Sequence, residues 1–176
     1  FTFLSVRFLS VIVIMVPICL MAGASWPRGS AFVHSLVVGA LIHATYLGGV
    51  FWALRHGLPA GGTALIVSLQ PVLTAILAWP LIGERITAKH WGGLALGLAG
   101  AVLVVLPKLE SAVSADGSGI TAVTVGSALV ALFGMTLGTI YQKNSVAHPD
   151  LRTGSVVQFL GALLVSGPVA RLAETR

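Results

Sequence analysis

The sequence predicts an all-α membrane protein that crosses the bilayer six times. Three observations carry that prediction. Of the 176 residues, 56% are hydrophobic and only 9% charged, with a mean hydropathy of +0.98. A soluble domain carries about 25% charged residues, and a chain this short has too little interior to hide so much apolar surface. The apolar residues also gather into runs close to the roughly 20 residues that span a bilayer as helix. Short segments of turn-forming residues separate these runs.

Taken in order, the first span runs from about Thr2 to Ala24, interrupted by Arg7 near its start. Ser25-Trp26-Pro27-Arg28-Gly29-Ser30 follows as a turn, with Trp26 and Arg28 suited to the membrane interface. The second span covers Ala31 to Leu54 and ends at His56-Gly57-Leu58-Pro59. The third covers Ala60 to Ile82, with Gly83 as a left-handed cap. Thr87 is placed to cap the fourth span, Ala88 to Leu106, which Pro107 is expected to close. A polar segment around Ser114-Ala115-Asp116-Gly117-Ser118-Gly119 leads to the fifth span, Thr121 to Tyr141. His148-Pro149-Asp150 turns the chain into the sixth, Thr153 to Leu172.

The charge pattern narrows the function. Ten basic and five acidic residues give a net charge of +5, but the basic residues are scattered singly. No stripe or cluster points to nucleic acid. With loops alternating sides, Arg28, Arg85, Lys89, Lys143 and Arg152 fall on one side. Arg7, Arg55, Lys108, Arg171 and Arg176 fall on the other, so positive charge does not set the orientation. Cys19 is the single cysteine and permits no internal disulfide. The first span is too long for a signal peptide and lacks a basic leader. Because Phe1 already lies inside an apolar run, the chain reads as a fragment.

The sequence also resembles itself. At an offset of 151, Val6, Phe8, Leu9, Pro17 and Ala22 fall on Val157, Phe159, Leu160, Pro168 and Ala173. The matched prolines inside helices are the telling part, since apolar helices match by chance elsewhere. Such a repeat has a period of five helices. Five is odd, so its two copies cross the membrane in opposite directions, as in many secondary transporters.

The segment Ala64-Leu65-Ile66-Val67-Ser68-Leu69-Gln70-Pro71-Val72-Leu73-Thr74-Ala75 precedes a Gly83-Glu84-Arg85-Ile86-Thr87 turn. The glycine-rich Trp91-Gly92-Gly93-Leu94-Ala95-Leu96-Gly97-Leu98-Ala99-Gly100-Ala101-Val102 comes next. In order and spacing these resemble EamA-type members of the drug/metabolite transporter superfamily. Arg7-Phe8-Leu9, Ala53-Leu54-Arg55 and Gly138-Thr139-Ile140-Tyr141-Gln142-Lys143 are similar to the same pattern. The resemblance implies a ten-helix inverted-repeat transporter with both termini cytoplasmic, in the bacterial cytoplasmic membrane. Residues 1–110 would be helices two to five of the first repeat, 111–120 a flexible loop, and 121–176 the first two helices of the second. It further implies alternating-access transport of small metabolites, amino-acid-like or related, outward, with no cofactor. The partners are then the lipid bilayer and a small-molecule substrate.

Candidate site residues follow from polarity at depth. Pro71 frees the carbonyl of Val67 and is expected to kink the third span. Thr63, Val67, Gln70 and Thr74 are spaced to share one stripe of a continuous helix, as a cavity wall or as partners of neighbouring helices. His43 and Tyr46 lie midway along the second span, where an ionisable group is a functional candidate. The alternative is a neutral histidine bonded between helices. Thr139 in the fifth span completes the substrate-binding set. Gly83, Glu84 and Arg85 are read as a structural turn. Arg7 either snorkels to headgroups or faces the mouth of the pathway, and its repeat partner Gln158 is polar too. No acid lies in mid-helix, and His34 and His43, nine residues apart, make no metal site. No enzyme signature is present. Rival readings are a small multidrug-resistance-type exporter and a non-transporting membrane subunit or assembly protein.

Overall fold

The computed structural model describes residues 2–84, 87–116, 120–145 and 150–174, and these are all-helical, with no strand among them. The helices are α1 (Thr2–Met21), α2 (Ser30–Arg55), α3 (Ala60–Ser68), α4 (Gln70–Ile82), α5 (Ala88–Asp116), α6 (Ala122–Ser145) and α7 (Leu151–Glu174). With α3 and α4 forming one broken span, they occupy all six expected positions.

Among the described residues, four helical stretches are long and apolar enough to cross a membrane: Phe3–Met21, Ser30–Arg55, Ala60–Ile82 and Ala122–Ser145. Ala88–Val104 is a shorter apolar stretch. At 24 residues α7 has ample length but is more polar. Its Thr153, Gln158 and Ser166 are buried. Hydropathy scores such side chains as if they faced lipid, although in α7 they are buried within the protein.

Several ends follow local chemistry. Gly57 takes a φ of 92°, letting the Leu58 N–H return 3.0 Å to the Ala53 carbonyl at the end of α2. Gly83 ends α4 in the left-handed region, φ 70° and ψ 10°. Thr121 and Thr124 bond reciprocally at the start of α6: each backbone N–H meets the other's hydroxyl, at 3.2 and 3.0 Å. Asp150 caps α7 by accepting the Arg152 N–H at 3.0 Å.

Two expectations need correction. Pro107 does not end its helix, because α5 continues through it to Asp116. A proline removes one helical bond and can be accommodated within a long helix. The expected loop over 111–120 is therefore helical as far as Asp116. The turn at 146–149 lies outside the described residues.

The chain divides into two compact units, residues 1–48 with 137–176, and residues 49–136; α2 and α6 each run through both. In the first unit, Leu4 and Phe8 of α1, Ala44 of α2 and Ala162 of α7 form a buried core, with Leu47, Phe159 and Leu163 against it. Ser5 meets Ser166 while Ser25 meets Thr153, so α1 and α7 run antiparallel. Val13, Ile14 and Leu20 of α1 remain exposed, the apolar face a lipid-embedded helix presents. In the second unit, Ala53, Leu58 and Ala128 are buried with Ile66 and Val125 against them. Gly49 lets α2 approach α6 closely there, and Ser127 donates a hydrogen bond of 3.0 Å to the Gly49 carbonyl.

Candidate functional site

In the first unit the site is built around His43. Residues Ala40–Thr45 of α2 wind as a π-helix, and the Thr45 hydroxyl bonds the Ala40 carbonyl, five residues back. Such wide turns occur often at functional positions. His43 stacks on Phe159 of α7, with ring centroids 4.6 Å apart and planes 18° from parallel. Phe8 of α1 stands 6.2 Å from His43 and 5.9 Å from Phe159. Three helices thus each contribute one ring to a cluster, in which Phe8 is fully buried and His43 half-buried.

Tyr46 and Thr139 belong to the same unit and are half-buried. Arg7 is exposed, whereas Gln158, its partner in the repeat, is buried. The two polar positions therefore do not share an environment.

In the second unit, α3 ends at Ser68 and α4 begins at Gln70, with Leu69 as the break and Pro71 in the first turn of α4. A proline tolerates a first turn because its missing N–H has no helical partner there. The stripe expected through Thr63, Val67, Gln70 and Thr74 runs across this break, where Leu69 keeps right-handed helical angles, φ -74° and ψ -11°. Thr63 is buried and donates to the Pro59 carbonyl at 3.2 Å. Gln70 and Thr74 stay together: the Gln70 amide donates to the Thr74 hydroxyl at 3.1 Å, which donates to the Gln70 carbonyl at 2.8 Å.

Gln70, Pro71, Thr74 and Ala75 line one wall of a groove of about 690 Å³, with Lys89, His90, Gly93 and Leu94 on the other. Lys89 and His90 were not expected at the site, since nothing in their local spacing relates them to Gln70. The Thr87 hydroxyl meets His90 Nδ1 at 2.6 Å, and the Thr87 carbonyl accepts the Trp91 N–H, as a capping residue's does. Of the expected structural turn, Gly83 and Glu84 are exposed at the end of α4, and Arg85 lies outside the described residues.

A contact missed at the sequence level joins His34 of α2 to Tyr141 of α6. Nδ1 and the phenol oxygen are 2.6 Å apart. The two residues are 107 positions apart, so no local signal announces the pair.

Comparison with known proteins gives a consistent picture. The EamA-like transporter family matches residues 1–106. An uncharacterized transporter, YvbV, of Bacillus subtilis is 33% identical over 141 residues, 74% of this chain and 42% of its own. An uncharacterized inner membrane transporter, YedA, of Escherichia coli K12 is 24% identical over 169 residues, 96% of this chain and 51% of its own. A probable amino-acid metabolite efflux pump of Escherichia coli K12 is 27% identical over 99 residues, 56% of this chain and 31% of its own. The chain thus spans about half, or less, of the length of these curated relatives. No solved structure matches it.

Proposed function

The chain belongs to the EamA-like transporter family, and from that membership we propose that it forms part of an alternating-access carrier that exports small amino-acid-like metabolites. Its family and its apolar helices make it a multi-pass protein of the cell membrane. In this reading α1 to α5 belong to one inverted repeat, and α6 and α7 open the second, with substrate held between repeats near the midplane.

One contact supports the inverted repeat above all. Phe8 and Phe159, equivalent at the offset of 151, meet each other 5.9 Å apart where α1 and α7 cross antiparallel. A pseudo-two-fold axis between inverted repeats brings equivalent residues face to face in this way. The efflux direction and the substrate class take their support from the probable amino-acid metabolite efflux pump among the relatives.

We assign His43, Tyr46 and Thr139 to substrate binding in the first unit and, separately, Gln70 and Thr74 to substrate binding in the second. The aromatic cluster supplies an apolar surface with one imidazole edge, and the Gln70–Thr74 pair supplies amide and hydroxyl groups. The test is uptake and counterflow of amino acids by the full-length protein in proteoliposomes. His43→Ala, Gln70→Ala and Thr74→Ala are each expected to cut transport about tenfold or more at normal membrane levels. Unchanged transport in all three removes the site assignment, and no transport by the unmodified full-length protein removes the carrier.

A further inference from the structure

We propose that His34 and Tyr141 form a latch that holds one end of the transport pathway shut, an inference that rests on the carrier reading above. Their bond is short, 2.6 Å, and the rings meet edge to face with centroids 5.6 Å apart. Both side chains are half-buried. The contact exists only because α2 and α6 pack together. Three residues before Tyr141, Gly138 faces Leu41 and Ile42 so closely that a Cβ there would stand 2.6 Å from Ile42 Cγ1 and 3.3 Å from the Ile42 nitrogen. The two helices meet almost backbone to backbone at that point.

The same end carries a second short bond. The Thr153 hydroxyl, in the first turn of α7, donates 2.6 Å to the Ser25 carbonyl in the connection before α2. At the other end of the α1–α7 pair, Ser5 and Ser166 meet at 3.3 Å. In the carrier reading, α1 and α2 belong to one repeat and α6 and α7 to the other. Both short bonds then join repeat to repeat at one end, and rocking that end open has to break them. A single hydrogen bond suits a latch. Its net worth amounts to roughly a fivefold to tenfold bias, enough to favour closure without freezing the equilibrium. His34 and Tyr141 act as positioning residues and touch no substrate.

The test reads access rather than transport. Full-length protein with Cys19→Ala and Ile42→Cys is placed in vesicles of both orientations, and the rate of labelling by an impermeant maleimide is measured from each side. Tyr141→Phe removes the hydroxyl and keeps the ring. It is expected to raise labelling about fivefold to tenfold from the side on which His34 lies, with the other side and the thermal midpoint unchanged. His34→Ala should do the same, and the double variant should add nothing. No change in Tyr141→Phe overturns the latch. So does an increase from both sides with a lower thermal midpoint, which is general loosening. Failure of the carrier reading looks different: full-length protein that moves no amino acid while Tyr141→Phe still changes one-sided labelling.

Discussion

Gly39 of α2 and Gly161 of α7 each face the backbone of the helix that carries the other. A Cβ at Gly39 would overlap the Gln158 carbonyl, and one at Gly161 would overlap the Leu36 carbonyl. Each glycine thus meets the residue three positions before its counterpart. The Thr153 hydroxyl at the start of α7 bonds the Ser25 carbonyl just before α2, so the two helices start at the same end and run the same way.

Gly39→Ala and Gly161→Ala should therefore each destabilise the protein by about 1–3 kcal/mol, the usual cost of overpacking. The two should be non-additive, because either one alone forces the same helices apart. Gly97→Ala on α5 is the control, since nothing lies within 4 Å of its Cβ position. Thermal unfolding of purified protein in detergent measures all three. Equal midpoints for Gly39→Ala and Gly97→Ala would show that the crossing does not depend on glycine.

Phe8 is fully buried between His43 and Phe159. Phe8→Ala should lower stability by about 3–5 kcal/mol, and Phe8→Leu by less, because leucine refills part of the space. A double-mutant cycle of Phe8→Leu with Phe159→Leu should give a coupling of about 0.5–1.5 kcal/mol for the lost ring contact. A coupling of zero would mean that the two rings contribute only by filling volume.

The start of α6 rests on Thr121. Thr121→Ala removes the hydroxyl that accepts the Thr124 N–H and should cost about 1 kcal/mol, whereas Thr121→Ser should restore it. Hydrogen exchange of the first-turn amides of α6 reads the difference directly, with faster exchange confined to Thr121→Ala.

Asp150 sets a pH dependence. The Arg152 side chain, bonded to both carboxylate oxygens at 3.2 Å, holds its carboxyl below the ordinary aspartate value, and the Arg152 backbone N–H adds to this. A carboxyl lowered on folding stabilises the fold above its unfolded value. That contribution is lost as pH falls through the depressed native value. Asp150→Asn retains a capping side chain but not the charge. Its acid unfolding profile should flatten in that window, because the stability that the Asp150 carboxylate adds at neutral pH is absent from the variant. An unaltered profile would place the acid sensitivity elsewhere.

The helices were legible because a bilayer demands about 20 apolar residues in a row, and the composition supplies them. Turns at Gly57 and Gly83 were legible because few other residues accept their dihedral angles. Three features were not. Pro107 is a strong local stop signal, yet α5 runs through it. The break in the third span falls at Leu69, just before Pro71, whereas the proline itself marked the expected kink. His34–Tyr141 and His43–Phe159 are set by packing between helices far apart in sequence, and no periodicity within one helix encodes which ring will face which. Gln70 and Thr74, one turn apart, were found together because their pairing is local.

The π-helical stretch Ala40–Thr45 bears on how this span tolerates changes in length. Removing one residue from an α-helix rotates everything beyond it by about 100° and turns each later side chain to a new face. A π turn already holds one residue more than an α turn. Deleting a single residue within 40–45 can convert the segment to ordinary α-helix while Ser35 and Val38 before it, and Gly49 and Ala53 after it, keep their faces. The second span therefore has one place where its length can change by a residue without disturbing the packing on either side, and that place is where His43 sits.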